Sequence, residues 1–523
     1  MCMKIKLTLF VCLVTGSRLL AQIPEDAIRM TWINPTGTAR NQAIGGAGGS
    51  LGGEITGGLF INPAGLGFYK VPEFVFSPGI SLIKNKGDYR GTNTSSDQMS
   101  RFSLGTSGMV LPLHTYGANP TWKSQVFSFG INRTANFNNT IYYKGQNDYS
   151  SFSEPFVEEF AASRLPIDVN LTNAALTLGT KLANYTYLID TMKVNGAYEI
   201  VGAPQHDAIR AGTDALLNQE RTIQSKGGIT ELALGYGANL EDRFYLGTSI
   251  GIPFVNYTRT TTIRESDASN ATDRYFDYAL YETRYKATGA GVNAKLGVIY
   301  KATQLLRLGL AIHTPTLYGL RESTTERMEN RVKNLKSPGY TTYTADAQTI
   351  GVGIPTYRYD MLSPWKFILS GTYLFGEIAD VTKQKGFITA DVEYIPHRAS
   401  KFSSSNENDD QEYYDAVNRV VKDSYKGAFN FRVGGEMKFN TFMGRLGFAY
   451  YGNPVKDKEL KMSRMNLSGG LGYRNKGIFV DLAYVYSISK STDFPYRISD
   501  KANTFADIKG RNSNIVMTFG FKM

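Results

Sequence analysis

The chain has 523 residues, of which 42% are apolar and 20% charged, and its formal net charge is +11. Beyond the N-terminal segment, no run reaches the roughly 18 apolar residues of a membrane-spanning helix, and the mean hydropathy is −0.25. The basic residues are spread along the chain and do not form a patch within a recognisable nucleic-acid-binding fold, which argues against nucleic-acid binding. A transmembrane β-barrel stays compatible with this composition, because each of its strands is apolar on one face only.

The N-terminus has the pattern of a secretory signal peptide. Two lysines precede an apolar run from Leu7 to Val14, and Ala21 offers a small residue for cleavage, so we predict a signal over residues 1–21. Both cysteines, Cys2 and Cys12, lie in this segment. The residues before Cys12 are not the small ones of a lipoprotein signal. We therefore expect plain cleavage and a mature chain without a disulfide, a thiolate metal site or a cysteine nucleophile.

The segment that follows is rich in glycine and shows no strand pattern. Residues 43–53 include six glycines, and Asn62-Pro63-Ala64-Gly65-Leu66 comes soon after. A phosphate-binding loop would need a Gly-Lys-Ser/Thr sequence after an apolar strand, and neither is present. Glycine allows close packing, so we predict a compact, irregular segment, and the lumen of a barrel is the natural place for it.

From Glu73 to the C-terminus the dominant pattern is alternation with period 2, which is typical of strands. Phe127, Phe129 and Ile131 alternate with small or polar residues, and the chain ends on Ile515, Met517, Phe519 and Phe521 in the same rhythm. These apolar faces recur over most of the chain, with few helices available to cover them. We therefore predict an all-β fold, a transmembrane antiparallel β-barrel that lipid itself covers.

Connection lengths alternate as such a barrel requires. Short turns are predicted between strands, near Asn239–Arg243, Lys301–Leu305, Asn440–Met443 and Arg474–Gly477. Long polar segments are predicted as extracellular loops, near 134–228, 257–280, 318–360, 398–427 and 488–510. Two of these loops show helical spacing, one from Ser153 and one from Asp410 to Val421.

Six charged residues alternate with apolar ones in the later strands and should therefore face the lumen: Asp391, Glu393, Arg432, Glu436, Arg445 and Asp481. An arginine among them could bind a carboxylate headgroup. Because both signs are interspersed, we favour a mixed-sign network that holds the glycine-rich segment in place.

The sequence offers little for catalysis or metal binding. The four histidines are far apart and lack ligand spacing: His114, His206, His313 and His397. The acidic stretch from Asn406 to Glu412 has oxygen ligands but lacks the loop glycine of a calcium-binding EF-hand, and no Gly-x-Ser-x-Gly elbow is present. We predict no metal, no cofactor and no enzymatic activity.

The glycine-rich segment resembles that of the FadL-type outer-membrane transporters of long-chain fatty acids and other hydrophobic compounds. The resemblance is carried by residues 39–49, which read Ala-Arg-Asn-Gln-Ala-Ile-Gly-Gly-Ala-Gly-Gly, and by Asn62-Pro63-Ala64-Gly65-Leu66. It implies a barrel of about 14 strands, residues 71–523, that is plugged by an N-terminal hatch, residues 22–70. Where such proteins usually carry an acidic stretch before Asn-Pro-Ala, this chain has one carboxylate, Glu54.

The resemblance also implies a function. It predicts passive uptake of hydrophobic molecules across a Gram-negative outer membrane, through an apolar loop groove, a lumen pocket and movement of the hatch. The expected partners are outer-membrane lipid and lipopolysaccharide, the barrel-assembly machinery and a hydrophobic ligand, with the protein as a monomer. The alternative is a barrel subunit of a protein-secretion system that handles cargo proteins.

Candidate ligand-binding residues come from the two helical loops. Phe156, Val157 and Phe160 could line the landing groove, and so could Tyr413, Tyr414 and Val417. The alternative is that they pack a loop helix onto its neighbours. Asn62, Pro63 and Ala64 form the hatch motif, for which we favour a structural role at the junction of hatch and barrel over direct gating.

Overall fold

A computed structural model describes residues 25–33, 36–113, 121–166, 175–269, 274–333, 339–376, 384–405, 411–457, 460 and 462–523. The predicted signal peptide, with both cysteines, lies outside the described residues, as do His114 and residues 406–410 of the acidic stretch.

The described strands form a closed antiparallel barrel of 14 strands. Several strands are built from consecutive segments separated by a bulge or a break. In chain order they are β1 (Glu73–Phe76 and Pro78–Tyr89), β2 (Thr92–Ser95, Met99–Leu104 and Ser107–Leu113), β3 (Trp122–Asn136 and Asn139–Asn147), β4 (Leu217–Leu240), β5 (Phe244–Asp267), β6 (Phe276–Lys301), β7 (Leu306–His313 and Leu317–Lys333), β8 (Thr356–Leu362 and Lys366–Gly376), β9 (Gln384–Pro396 and Lys401–Ser404), β10 (Gly427–Phe439), β11 (Phe442–Tyr451), β12 (Ser463–Asn475), β13 (Ile478–Asp493) and β14 (Ala506–Lys522). The barrel closes where β14 pairs with β1, from Glu73↔Lys522 to Tyr89↔Ala506.

Alternation along the strands separates an outer apolar belt from a polar lumen. On β3, Phe127, Phe129 and Ile131 are 51%, 42% and 37% exposed, whereas Ser128 between them is buried. A ring of exposed aromatic and aliphatic side chains is stable only against lipid. The predicted all-β transmembrane barrel is thus confirmed. No helix within the described ranges is long and apolar enough to cross a bilayer.

The prediction of long extracellular loops was partly wrong. Much of 134–228, 257–280 and 318–360 is strand, and β4, β5 and β6 are 24, 24 and 26 residues long. A membrane crossing takes about 9–11 residues, so these strands continue into the extracellular space. There the pattern inverts, because water replaces lipid outside: Tyr285 is buried in the interior and Lys286 faces out.

Helices and short hairpin strands cap the extracellular end. The cap contains α3 (Glu154–Ser163), α4 (Leu178–Tyr185) and α5 (Ala203–Ala211), together with the strands Ile189–Val194, Ala197–Gly202 and Tyr340–Asp346. A helix α6 (Gln411–Ser424) follows β9, after the 3₁₀ turn His397–Ala399. The cap has its own apolar core, which includes Phe160, Leu182 and Met328.

The glycine-rich segment lies inside the barrel as a plug. It contains two short helices, α1 (Glu25–Arg29) and α2 (Ala39–Ala43), a π-helical turn (Gly57–Ile61) and a 3₁₀ turn (Pro63–Phe68). Glu54 holds this segment together, because it accepts hydrogen bonds from the backbone N–H groups of Thr56 and Gly57 at 3.1 and 2.7 Å. The plug therefore folds around the acidic residue that precedes its Asn-Pro-Ala motif.

Candidate functional site

One side of the wall, strands β9 to β13, holds the plug through charged side chains. Arg40 of the plug donates two hydrogen bonds to Glu436 of β10, from Nε at 3.0 Å and Nη2 at 3.2 Å. Arg445 of β11 donates from Nε to the same carboxylate at 2.6 Å, and from Nη1 to Asp481 of β13 at 2.7 Å. We call Arg40, Glu436, Arg445 and Asp481 the plug clamp.

A second group of charges on β8, β9 and β10 lies next to the clamp. Asp391 accepts hydrogen bonds from the backbone N–H groups of Gly48 and Gly49 at 3.0 and 3.1 Å. Glu393 pairs with Arg432 at 2.8 Å and lies 3.6 Å from the Nζ of Lys366. All six charged residues singled out from the sequence are buried.

These contacts have a structural character. The Arg445, Glu436 and Asp481 side chains are at most 1% exposed. Leaving such a buried charge without its partner costs about 3–5 kcal/mol, so the network ties the plug to one arc of the wall. A mixed-sign network that holds the plug remains the favoured interpretation of these residues.

Asn62, Pro63 and Ala64 join the plug to the opposite arc. The Asn62 Nδ2 group lies 2.6 Å from the Gly49 carbonyl oxygen of the plug, and 3.3 Å and 3.4 Å from those of Val298 and Leu310 in the wall. Its Oδ1 accepts from the N–H of Ala64 at 3.1 Å and so caps the 3₁₀ turn. The turn touches the wall where the wall has glycine, at Gly247 and Gly297, since a Cβ there would collide with Asn62, Pro63 or Ala64.

A cavity of about 130 Å³ lies between the plug and the wall. Its apolar lining comes from both parts of the molecule: Met30, Phe60 and Ile61 of the plug, and Ile229, Tyr318, Ile368 and Ile395 of the wall. Its polar lining contains two ion pairs, Lys295 with Glu231 and Arg432 with Glu393. His313 also lines it, with Nε2 2.8 Å from the carbonyl oxygen of Ile61. The cavity is thus amphipathic, with its charges already paired.

The wall beside this cavity is interrupted. The β7–β8 ladder stops at His313↔Lys366 and resumes at Leu317↔Leu362. Both strands advance by four residues between these pairs, so the register is kept and Pro315 comes to lie opposite Pro364. Neither proline has an N–H to donate, and proline in a strand marks an edge or an interruption.

The interruption at Pro315 and Pro364, which we call the proline rung, opens onto the cavity. Thr314, Thr316, Ser363 and Pro364 all contribute to the cavity lining. Two hydrogen bonds remain near the rung, from Ser363 N–H to the Thr316 carbonyl at 3.0 Å and from Thr316 N–H to the Ser363 hydroxyl at 2.8 Å. On the outer face, Trp365 and Leu317 are 45% and 52% exposed to the belt.

The predicted ligand-binding residues fall into two separate cores. Phe160 is 1% exposed in the cap core, with Phe156 and Val157 packed against it, and Phe156 meets Tyr281 edge-on at 5.5 Å. Tyr414 and Val417 of α6 belong instead to a core that also holds Met30, Ile229 and Tyr318 of the cavity lining, with Tyr413 packed against it. A groove on the cap for Phe156, Val157 and Phe160 stays a prediction. The α6 residues therefore share a core with residues of the cavity lining but do not line the cavity themselves.

Sequence reasoning missed the cavity and the proline rung. Each proline was visible in the sequence, but only the strand pairing shows that the two lie opposite each other. Lys295, Glu231 and His313 were missed because nothing local in the sequence connects residues that come from β4, β6 and β7.

The sequence matches no family model and no curated protein. Among solved structures, a FadL homologue of Pseudomonas aeruginosa is 13% identical, with 94% of this chain and 99% of that chain covered and a TM-score of 0.48. The toluene transporter TodX of P. putida is 12% identical over the same shares, with a TM-score of 0.49, and the toluene transporter TbuX of Ralstonia pickettii is 13% identical, with a TM-score of 0.46. The architecture rests on the strand pairing itself, and neither ligand nor activity carries over at such identities.

The barrel also fixes the location of the protein. Closed antiparallel barrels with an even number of strands and an apolar belt are the architecture of bacterial outer-membrane proteins. The outer membrane of a Gram-negative cell is therefore where this chain resides.

Proposed function

We propose that this protein is a passive outer-membrane channel for hydrophobic molecules. The observation that carries the proposal is the amphipathic cavity between plug and wall, because a water-filled pore would offer such molecules no favourable binding. The FadL-like hatch motif supports the same function.

The size of the cavity limits what can enter without movement. An apolar cavity of roughly 150 Å³ accommodates benzene, so the cavity of about 130 Å³ is of the size of one small ring. A long alkyl chain requires additional space, and the plug would have to shift to provide it. On this basis a small aromatic compound should pass more readily than a long-chain fatty acid.

The route would begin above α6 and end at the proline rung. The N-terminal plug residues Ala27, Ile28 and Met30 share an apolar core with Tyr414 and Val417, and this core would have to part to admit a ligand. The rung leads sideways to the lipid-facing side chains of Trp365 and Leu317. The channel would act as a monomer and would need no cofactor.

Uptake into liposomes by the purified barrel tests this function. Toluene and a fluorescent fatty acid serve as probes, with Ile229→Trp as the variant and Leu232→Trp as the control on the same strand. Ile229 is buried in the cavity lining, whereas Leu232 is 38% exposed to lipid. We expect Ile229→Trp to lower the uptake rate at least tenfold and Leu232→Trp to leave it within twofold.

Equal uptake by the two variants would mean that the pathway does not pass through the cavity. No uptake by the wild type, and no bound hydrophobic ligand, would refute the proposal. Co-purification of cargo proteins in that case would favour the protein-secretion alternative.

A further inference from the structure

Five cations cover adjacent strands on the outer face of the barrel. The β13–β14–β1 pairings place Lys490 opposite Lys509 and Lys509 opposite Lys86, so that three lysines form one row. In the next row toward the membrane, Arg511 lies opposite Lys84. We call these five residues the basic array.

The alternation of the strands shows that the array faces outward. All five side chains are exposed, whereas the adjacent residues Asn85, Ile508 and Gly510 are buried in the interior. Like charges directly opposite each other destabilise a pair of strands. In the described part of the chain, none of the five forms an ion pair or a side-chain hydrogen bond, so the protein itself does not compensate this repulsion.

Two carboxylates lie beyond the array, and they do not balance it. Asp88 and Asp507 form the next outward row, two residues further along β1 and β14. Five cations and two carboxylates leave a net charge of +3 on this patch. The excess is on the membrane side of the patch, because the acids lie farther from the belt.

The height of the array matches the boundary of the membrane. Below it, Ile80, Tyr484 and Ile515 are 50%, 49% and 42% exposed and belong to the apolar belt. From Phe521 to Arg511 is ten residues, or about 33 Å of strand at ~3.3 Å per residue. A tilt of ~40° reduces this to about 25 Å along the membrane normal, the height of the apolar band of such barrels. Arg511 and Lys84 therefore lie at the level of the outer headgroups.

From this placement we infer that the basic array binds the phosphate groups of a phosphorylated glycolipid of the outer leaflet, the lipid A part of lipopolysaccharide. Its acyl chains would lie against the belt at Ile80, Tyr484 and Ile515. Two rows of cations suit a headgroup with more than one phosphate, because each basic residue near a lipid surface adds attraction to anionic groups. This binding is independent of transport.

Binding of lipid A to the purified full-length barrel in detergent tests the inference. The variant is Lys84→Gln/Lys509→Gln/Arg511→Gln, and the control removes three exposed cations at the periplasmic rim, Lys70→Gln/Arg243→Gln/Lys476→Gln. We expect the array variant to weaken binding of bisphosphorylated lipid A at least tenfold and the control to change it less than twofold. Far-UV circular dichroism checks that both variants keep the barrel.

The chemistry of the lipid provides the second arm of the test. Lipid A from which both phosphates have been removed should bind the wild type no better than intact lipid A binds the array variant, and salt should weaken the wild-type complex. Equal binding of intact and dephosphorylated lipid A would overturn the inference. So would equally tight binding of phosphatidylglycerol, since the array would then recognise any anionic lipid.

Discussion

The two arcs of the wall that flank the plug are built differently. Strands β10 and β11 pair without interruption from Asn430↔Tyr451 to Phe439↔Phe442, and this arc carries the Glu436 and Arg445 part of the plug clamp. Strands β7 and β8 lose their ladder around Pro315 and Pro364 and face the cavity. The barrel thus fixes its plug on a continuous arc and keeps its cavity beside an interrupted one.

This difference shows how a closed barrel can provide a route through its wall. A strand pair resists separation because every backbone N–H has a partner, and unsatisfied groups in lipid cost several kcal/mol each. Two opposed prolines remove two donors at the same level, so less has to be broken there. The plug clamp on the continuous arc can keep its contacts while this part of the wall opens.

The largest expected effect comes from breaking the plug clamp. Arg445→Met removes the cation between Glu436 and Asp481 and leaves buried carboxylates with reduced compensation. We expect the free energy of unfolding to fall by about 3–5 kcal/mol, measured by urea titration in detergent. Arg398→Met, at an exposed site, is the control and should change it by less than about 0.5 kcal/mol. Equal effects of the two variants would mean that the clamp does not hold the plug.

The second-largest effect is expected from locking the proline rung with a disulfide. Opposite residues in an antiparallel pair have Cα atoms about 4.5–5.5 Å apart, within the range of a disulfide. Thr316→Cys/Ser363→Cys should therefore form a bond across the gap. We expect oxidation to lower uptake at least tenfold and reduction to restore it.

The matched control for this lock is Leu310→Cys/Leu369→Cys, a pair in register on the same two strands where the ladder is continuous. Its oxidation should leave uptake unchanged. Full uptake through the oxidised Thr316→Cys/Ser363→Cys barrel would place the exit elsewhere and leave the proposed function intact.

A smaller effect is expected at the joint between the plug and the interrupted arc. Asn62→Ala removes the Nδ2 contacts to Gly49, Val298 and Leu310 and the cap on the 3₁₀ turn. The loss of buried hydrogen bonds should lower the free energy of unfolding by about 1–3 kcal/mol. Asn475→Ala, in an exposed position on β12, serves as the comparison. A shift no larger than that of the comparison would show that Asn62 is dispensable for holding the plug.

The smallest expected effect follows from restoring the missing donors. Pro315→Ala/Pro364→Ala gives each strand an N–H and lets the ladder continue through the rung. We expect amide hydrogen exchange of Thr316 and Ser363 to slow and uptake to fall two- to fivefold, with a change in stability of about 1 kcal/mol or less. Faster exchange at these amides would mean that the prolines close the gap.

Several features could be read from residues near one another in the chain. The belt followed from the alternation of Phe127, Phe129 and Ile131. The inward orientation of Glu436 followed from Phe431, Val433 and Met437 on the other face of its strand, and that of Arg445 followed from Leu446 and Phe448. Above the membrane the same alternation places Tyr285 inward and Lys286 outward. Period 2 tells which residues share a face, but it does not tell whether lipid or water lies outside.

The sequence by itself determined the class of the fold, the presence of a plug and the residues that line the lumen, because strand alternation and glycine content are local properties. The tertiary structure decided which of those residues meet. Pro315 and Pro364 become a rung, Lys86, Lys490 and Lys509 become a row, and Met30, Ile229 and Tyr414 become neighbours only through strand register and barrel closure. Register depends on turns and on pairings between distant segments, and closure brings β14 to β1 across nearly the whole chain.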